Sequence, residues 1–297
     1  MANNLRTRGE KAFAVFNYIF MTLLCIICIY PLWYVLVASL SDPVKLYIQR
    51  GILLWPLGEM SLRGYQLVME NPNIPIGFGN TMIYLGVGTL VNMIVTTMAA
   101  YGLSRKGCYW NGKVMKLIAF TMYFAGGLIP FYLMVKSMGL LDTYSGIILP
   151  VMVNTWNLIV MRTSFMGIPD SLEESAHLDG ANDWTILWRI FFPLAQATIA
   201  VIALFYAVGW WNNWFNPSIF LSSKSKYPLQ LVLREILLKN DTSSMTQVGS
   251  VGQSQQEEYR MLVKYCTIIV ATVPILIVYP FLQRYFVKGV MVGSIKG

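Results

Sequence analysis

Six long apolar runs alternate with short polar segments along the whole chain. Each run lacks Asp, Glu, Lys, Arg and His over close to the ~20 residues that a helix needs to cross a bilayer. The runs cover 12–40, 78–104, 117–135, 143–161, 194–221 and 265–283. Hydrocarbon offers no water to backbone N–H and C=O groups, so segments of this kind fold as helices. The pattern predicts an all-α transmembrane fold, a bundle of six helices in a single domain over residues 1–297.

Composition supports a membrane location. Hydrophobic residues make up 56% of the 297 and charged residues 12%, against about 45–50% and about 25% in soluble domains. The first apolar run is much longer than the ~7–15-residue core of a cleavable signal peptide, so we expect it to stay as an anchor. The net charge is +8, but no basic patch indicates nucleic acid.

The short polar loops predict the orientation of the helices. Three basic residues precede the first span, and four basic residues between Arg105 and Lys116 fill the loop between the second and third spans. Short loops rich in Lys and Arg stay on the cytoplasmic side, so both termini are expected in the cytoplasm. The same alternation places 162–193 in the cytoplasm and the loops 41–77 and 222–264 outside.

Two short motifs are set aside as chemical sites. Cys25 and Cys28 form C-x-x-C inside an apolar span, without the strand and helix that a redox site needs. A phosphate-loop pattern over 107–113 is followed by Val114, where magnesium binding requires Ser or Thr. No catalytic residue, metal site or cofactor is predicted in this chain. The single histidine, His177, is expected to face solvent or a partner.

Uncharged amides and aromatic rings gather in the fourth and fifth spans, a combination that suits sugars. The candidate substrate path consists of Asn154, Asn157, Trp211, Asn212 and Asn213. Hydrogen bonding of amides between helices, together with an interfacial aromatic belt, explains the same residues without a substrate. Because no ionisable residue lies within a predicted span, coupling to protons or ions is disfavoured and an external energy source is expected.

A polar segment between the fourth and fifth spans is patterned as two short helices. Ser171 and Glu174 form S-x-x-E, a capping box that predicts a helix over about 172–179. Gly180 is expected to end this helix in a left-handed conformation. Asn182 or Asp183 can cap a second helix that Pro193 closes. Glu174 then has two interpretations: it only caps its own helix, or it presents a negative charge to a basic partner.

The same segment resembles the signature cytoplasmic loop of bacterial ABC importer permeases. That signature is E-A-A, three residues and G, followed later by I-x-L-P. Here E-S-A leads to Gly180, and I-F-F-P follows over 190–193, with Ser175 in place of Ala and Phe192 in place of Leu. The strings G-L-I-P and G-L-L-D-T-Y and the tail 283–297 resemble the maltose-type carbohydrate branch of this family.

The resemblance implies a cytoplasmic coupling loop over 167–193, seated in a cleft of an ABC ATPase dimer. The ATPase-coupling residues would be Glu174, Ser175, Ala176, Asp179, Gly180 and Ala181. Glu174 would meet a basic group of the ATPase, and Ser175 and Ala176 would give close contact. ATP and Mg²⁺ would be bound by the ATPase subunits and not by this chain. The tail, with Lys288, Gly289, Gly293 and Lys296, would reach towards the ATPase dimer.

The resemblance also implies a function and further partners. The chain would be a non-catalytic permease subunit, of the type I maltose-type fold, in the bacterial cytoplasmic (inner) membrane. It would pair with a second homologous permease, receive a sugar from an extracytoplasmic solute-binding protein facing 222–264, and move an oligosaccharide by alternating access. The alternatives are a secondary carrier or channel without an ATPase, or a membrane-embedded transferase, which would need an interfacial cluster of charged groups.

Overall fold

The computed structural model describes residues 7–105, 107, 110–124, 126–239 and 258–277. Within these ranges every regular element is helical, so the predicted all-α class is confirmed. The helices are α1 (Arg8–Ser39), α2 (Pro43–Ile48), α3 (Arg63–Glu70), α4 (Asn73–Ile83), α5 (Thr89–Ser104), α6 (Asn111–Tyr123), α7 (Leu128–Ser137), α8 (Tyr144–Ile148), α9 (Thr155–Met166), α10 (Asp170–Leu178), α11 (Asp183–Ile186), α12 (Phe192–Leu194), α13 (Gln196–Trp211), α14 (Phe215–Phe220), α15 (Leu229–Lys239) and α16 (Glu258–Ile277). Tyr84–Gly88 and Leu187–Phe191 are π-helical turns, and Leu149–Val151 and Lys224–Lys226 are 3₁₀ turns.

Among the described residues, three continuous helices are long and apolar enough to cross a membrane. They are Gly9–Ser39, Asn73–Ser104 and Glu258–Ile277. Three further pairs of helices pass the same test as bent units, which gives up to six spans. The predicted span over 265–283 overlaps α16 as far as Ile277, and its remainder lies outside the described residues.

Three of the predicted spans are not single helices, and proline explains two of the breaks. Pro130 and Pro217 each occupy the third position of a helix, in α7 and α14. A proline ring clashes with the carbonyl four residues earlier in a continuous helix. The predicted run over 194–221 therefore divides into α13 and α14, and the run over 117–135 divides between α6 and α7.

The fourth predicted span is also broken. Its first part ends in a 3₁₀ turn that contains Pro150, and α9 begins at Thr155. The two parts meet at an angle of 51°. Directly before the fifth span, the helical run Asp183–Leu194 meets α13 at 87°. Pro193 lies inside that run, so the helix ends at Leu194 and not at the proline as predicted.

The chain divides into two compact units, residues 1–71 with 236–273, and residues 72–235 with 274–297. In the first unit, the end of α1 packs with α3 and α16. The Ser39 and Tyr65 hydroxyls are 2.6 Å apart, and the Cys266 thiol donates to the Ser39 carbonyl at 3.4 Å. Val68 and Leu262 are fully buried in this unit.

The second unit has a core that joins membrane helices to the segment between the fourth and fifth spans. Phe165 of α9, Phe191 of the second π turn and Ile202 of α13 are fully buried in one cluster. Ile186 of α11 and Ala176 of α10 belong to the same cluster. Because these side chains pack together, α10 and α11 are continuous with the bundle and do not project from it as a free loop.

Two glycines in the first π turn differ sharply in their surroundings. A Cβ built on Gly88 would lie 2.7 Å from Nε1 of Trp210, whereas nothing lies within 4 Å of a Cβ on Gly86. The Trp210 ring stacks on Tyr84 at 6.4 Å, and its Nε1 donates to Oδ1 of Asn92 at 2.7 Å. Gly88 therefore gives the tryptophan room to reach its buried acceptor.

Gly88→Ala is expected to destabilise the protein by about 1–3 kcal/mol, because Trp210 must move and its buried bond to Asn92 is lost. Gly86→Ala should be neutral or stabilising by up to ~1 kcal/mol, since alanine favours a helix and meets no neighbour. Thermal unfolding of both variants in the same nanodiscs measures the difference. Equal shifts of the melting temperature would contradict the packing role of Gly88.

Candidate functional site

The expected coupling loop, residues 167–193, folds as two helices joined by a tight turn at Gly180. The φ of Gly180 is +79°, a left-handed conformation that side-chain-bearing residues rarely adopt. Its N–H donates to the His177 carbonyl at 3.0 Å, and the Ala181 N–H donates to the Ala176 carbonyl at 2.9 Å. These two bonds form a Schellman motif, which satisfies carbonyls at the end of α10. The predicted left-handed end at Gly180 is confirmed.

The predicted capping box at Ser171 and Glu174 is wrong. The helix α10 begins at Asp170, directly after Pro169, and no side chain caps it. Ser171 already has helical backbone, so it cannot adopt the extended conformation of an N-cap residue. Its carbonyl instead accepts a bond from the Ser175 hydroxyl at 2.7 Å. Glu174 is therefore not used as a cap.

The second helix begins as the sequence predicted. Oδ1 of Asn182 accepts bonds from the N–H and the hydroxyl of Thr185, both at 2.9 Å. Asn182 is extended, with φ −85° and ψ 165°, as an N-cap requires. Trp184 and Trp188 follow on one face of this helix, with ring planes 6° apart. The turn and the cap together fix the path of the chain around Gly180.

The helix α10 has an inner and an outer face. On the inner face Ala176 is 9% exposed and packs in the core of its own bundle, with Ala181 beside it. These two of the expected ATPase-coupling residues thus contact the bundle of this chain. The opposite side, which we call the outer face, carries the other four expected residues, all exposed: Glu174 and Ser175 in α10, and Asp179 and Gly180 in the turn that follows it.

Glu174 is exposed, and the described part of the chain supplies it with no ion pair or side-chain hydrogen bond. Leu178, one turn further along α10, is 90% exposed. His177 is exposed, with its Nε2 3.8 Å from Oδ1 of Asp183. A free carboxylate beside an exposed leucine and an open glycine turn is a surface suited to a protein partner with a basic group.

An ion pair that sequence reasoning did not find holds α10 on the bundle. Arg105, just after α5, pairs with the Glu173 carboxylate, and their side chains are only 14% and 20% exposed. The guanidinium also donates to the Phe165 carbonyl at 3.3 Å and lies 4.2 Å from the centre of the Phe191 ring. The signal in the sequence was the pair of adjacent carboxylates, Glu173 and Glu174, which point about 100° apart on a helix, so that one can be buried while the other stays exposed.

A cavity of about 730 Å³ opens between the end of α5 and the coupling loop. Its charged lining residues are Arg105, Asp170, Glu173, Glu174 and Asp183. Among these described lining residues, Arg105 pairs with Glu173, and Glu174 lies beside that pair without an ion-pair partner of its own.

The candidate path residues of the fourth span take part in the break between α8 and α9. Oδ1 of Asn154 accepts from the Asn157 N–H at 3.1 Å, and the Asn154 N–H donates to the Tyr206 hydroxyl at 3.0 Å. The amide of Asn92 donates to the Val151 carbonyl at 3.0 Å. The Asn154 side chain thus caps its own helix, α9, and the contacts to neighbouring helices at the break are made by its backbone N–H and by the side chain of Asn92.

The candidate residues of the fifth span lie at the end of α13. Trp211 is 7% exposed and meets Phe78 edge to face, with ring centres 6.3 Å apart. Its Nε1 is buried and has no hydrogen-bond partner in the described chain. Asn212 is exposed and donates to the Val208 carbonyl at 2.9 Å, and Asn213 is half-buried. No described contact joins these residues to Asn154 or Asn157.

Asp142, Ser223 and Lys226 form a second polar site that we call the outer clasp. The carboxylate of Asp142 accepts from the Ser223 hydroxyl at 2.6 Å, the Ser223 N–H at 3.0 Å and Nζ of Lys226 at 3.1 Å. The Ser222 N–H adds a bond at 3.1 Å. The bonds from Ser223 first, and then from Lys226, hold the pKa of Asp142 well below its usual range.

The outer clasp is expected to weaken in acid. The folded pKa of Asp142 is below the unfolded value of about 3.9, so its stabilisation is present above that pH and decreases as the pH falls below it. Asp142→Asn should lower the melting temperature at neutral pH and remove much of the loss that the parent protein shows on acidification below about pH 4. Glu59→Gln, at an exposed site outside the clasp, is the control. Parallel melting curves for the parent and Asp142→Asn across this pH range would contradict the role of the carboxylate.

Comparison with known proteins supplies the family context of this site. The family described as "Binding-protein-dependent transport system inner membrane component" matches residues 1–292. The polygalacturonan/rhamnogalacturonan transport system permease protein YtcP of Bacillus subtilis (strain 168) is 38% identical over 97% of this chain and 99% of its own length. Protein LplC of the same organism is 38% identical over 98% of this chain and 97% of its own length.

A solved structure gives the same picture of the fold. It is entitled "Crystal structure of a bacterial ABC transporter involved in the import of the acidic polysaccharide alginate", and one of its chains matches with a TM-score of 0.86 and 29% identity. The match covers 96% of this chain and 100% of that chain. The importer-permease fold expected from the coupling-loop motif is thereby confirmed.

Proposed function

Because the chain belongs to the family of binding-protein-dependent transport system inner membrane components, we propose that it forms half of a carbohydrate path driven by a cytoplasmic ATPase. As a member of this family it is a permease subunit, a transport component and not an enzyme. Family membership also sets aside the carrier or channel without an ATPase and the membrane-embedded transferase. The proposed parts are the substrate class, the docking residues and the arrangement of the partners.

The proposed substrate is an oligosaccharide that carries uronic acid units. The support is the agreement of two comparisons: the 38% identical relative is named for polygalacturonan and rhamnogalacturonan, and the structural match belongs to an alginate importer. This chain would contribute one wall of the path. Of the candidate path residues, Asn154 and Asn212 are exposed and Asn213 is half-buried, so their side chains could reach a substrate, whereas Asn157 and Trp211 are buried in the chain itself. The extracytoplasmic binding protein would deliver the sugar to the outer side.

The proposed docking site for the ATPase is the outer face of α10. The observation that carries it is the exposed carboxylate of Glu174, unpaired within the described part of the chain, beside the open turn at Gly180. A basic group of the ATPase would pair with Glu174, while Ser175, Asp179 and Leu178 would line the contact. The buried inner face, with Ala176 and Ala181, would pass the movement to the bundle.

The remaining arrangement follows the family. The ATPase dimer would bind ATP and Mg²⁺, a second homologous permease would complete the path, and both termini would lie in the cytoplasm. The tail residues Lys288, Gly289, Gly293 and Lys296, expected near the ATPase, lie outside the described residues.

Reversal of the Glu174 charge tests the docking site. Glu174→Lys should strongly reduce both co-purification of the ATPase and solute uptake, while membrane insertion stays normal, because like charges would face each other across the contact. Glu174→Gln should give an intermediate loss. Glu59→Lys reverses an exposed carboxylate on the predicted outer side and should leave ATPase binding unchanged. Normal uptake and ATPase binding in Glu174→Lys would refute the proposed role, and loss of insertion would instead indicate a structural role.

A further inference from the structure

The segment that follows α2 folds back along the first membrane helix. The Leu53 N–H donates to the Tyr30 hydroxyl at 3.1 Å, and Nε1 of Trp33 donates to the Leu54 carbonyl at 2.9 Å. Both side chains belong to α1, which continues for a further six residues beyond Trp33, to Ser39. Leu53 and Leu54 are therefore held beside Tyr30 and Trp33, before the C-terminal end of α1.

That level coincides with the far boundary of the bilayer. The last charged residue of α1 is Lys11, and the ~20 residues that cross the hydrocarbon then run from Ala12 to about Pro31. The continuous helix Gly9–Ser39 has 31 residues, or roughly 46 Å at 1.5 Å per residue. It is thus longer than the ~30 Å hydrocarbon core, and its last turns project past it. Tyr30 and Trp33 fall in the zone where amphipathic aromatic side chains concentrate.

The returning segment, residues 46–58, turns apolar side chains outward. Leu46 and Leu53 are 1% and 2% exposed and attach the segment to the first unit. Their neighbours face away from the protein: Ile48 is 72% exposed, Ile52 74% and Trp55 75%. Large apolar side chains that are this exposed and this close in sequence are uncommon where a protein faces water, and they mark an interaction site.

The charges of the segment fit a lipid headgroup region. Between Leu46 and Gly58 the only ionisable side chain with a full charge is Arg50, and no carboxylate occurs. Arg50 is exposed and lies two residues before Ile52 in the sequence. An exposed arginine in the same short segment as exposed isoleucine and tryptophan suits the boundary, where the guanidinium reaches phosphate and the apolar groups reach the acyl chains.

We propose that residues 46–58 lie in the membrane interface opposite the N-terminus, with Ile48, Ile52 and Trp55 inserted among the lipids. The occupant of this exposed face is the lipid bilayer itself. The segment then fixes the depth of α1 from outside the helix, because two hydrogen bonds join it to Tyr30 and Trp33. This role is independent of what the importer carries.

Lipid-dependent quenching of Trp55 tests the proposal. The complete importer is placed in nanodiscs of phosphatidylcholine and phosphatidylglycerol, with or without bromine near the headgroup end of the acyl chains. Emission of the parent minus emission of Trp55→Phe isolates the Trp55 signal. Brominated lipid should remove most of that signal, and aqueous iodide should remove little of it. The matched control is Trp184→Phe, because Trp184 is an exposed tryptophan of the coupling loop whose signal should not respond to bromine.

A second variant controls for misfolding caused by Trp55→Phe. Ile52→Trp in the Trp55→Phe background places an indole at another exposed position of the same face and should restore quenching by brominated lipid. Two results would overturn the proposal. Quenching of Trp55 by iodide and not by bromine would place the segment in water, and protection from both quenchers would mean that another protein covers it.

Discussion

Replacement of Arg105 by alanine is expected to abolish most solute uptake while the ATPase remains bound to the permease. The outer face of α10, where we propose that the ATPase docks, does not include Arg105. The guanidinium instead holds the inner face, through Glu173, the Phe165 carbonyl and the Phe191 ring. Without this guanidinium, a movement of α10 on ATP binding would not be passed on to the bundle.

The size of this effect follows from the burial of the pair. Removing one partner of a buried ion pair leaves an uncompensated charge and costs about 3–5 kcal/mol, and the residual exposure here reduces this to about 2–3 kcal/mol. Such a loss corresponds to a roughly 30- to 160-fold shift from the attached to the detached arrangement of α10. Substrate uptake, ATP hydrolysis and ATPase co-purification are measured on the same proteoliposomes. Uptake should fall far more than ATPase binding.

Arg63→Ala is the matched control for Arg105→Ala. Arg63 and Glu70 form the same kind of pair at 3.6 Å, but their side chains are 46% and 48% exposed. Exposed pairs contribute about 0–1 kcal/mol, so this variant should keep near-normal uptake and stability. If Arg105→Ala behaved like Arg63→Ala, the ion pair would not be what connects α10 to the bundle.

Gly180→Val is expected to separate the ATPase from the permease. Valine is β-branched and must adopt the left-handed conformation at φ +79°, which costs about 1–2 kcal/mol. Its side chain would also project into space that is open in this chain, beside the exposed Leu178. In the assembled importer that space is where we propose that the ATPase lies, so strain and obstruction act together.

A second glycine turn separates the two effects. Gly139 ends α7 with φ +68°, an open surrounding and the same pair of Schellman bonds, to the Lys136 and Val135 carbonyls. Gly139→Val should therefore lower the melting temperature about as much as Gly180→Val, yet leave ATPase co-purification intact. Gly180→Asn, which tolerates the left-handed conformation, should keep most of the stability. Equal ATPase binding in the two valine variants would contradict the docking role of the Gly180 turn.

The sequence predicts those features that depend on short-range patterns. The apolar runs identify the membrane helices because a charge at membrane depth is costly. The end at Gly180 and the cap at Asn182 are set by residues within a few positions of each other. The failed capping box at Ser171 shows the limit of such patterns. Pro169 allows the helix to begin one residue before the serine, and no local rule separates that start from the one predicted.

The ion pair of the coupling loop could not be predicted because its partners are 68 residues apart. Adjacent carboxylates at 173 and 174 face different sides of one helix, and only the folded bundle decides which is turned inward. The same holds for Asn92 and Val151, which meet across two helices at a break that sequence pattern alone does not place. The breaks in the membrane helices could be predicted only in part. Pro130 and Pro217 mark the starts of helices, but membrane helices also tolerate proline in their interior.

The π turn Tyr84–Gly88 accommodates one extra residue in the second membrane helix. Because the turn absorbs that residue, the segments on its two sides keep the register of a continuous α-helix. Asn92 and Thr96, whose bonds reach Val151 and Tyr206, lie after the turn. Deleting one residue inside the turn should therefore restore a regular helix and leave these two bonds in place. A deletion between the turn and Asn92 would instead rotate both residues by about 100° and remove them from their partners.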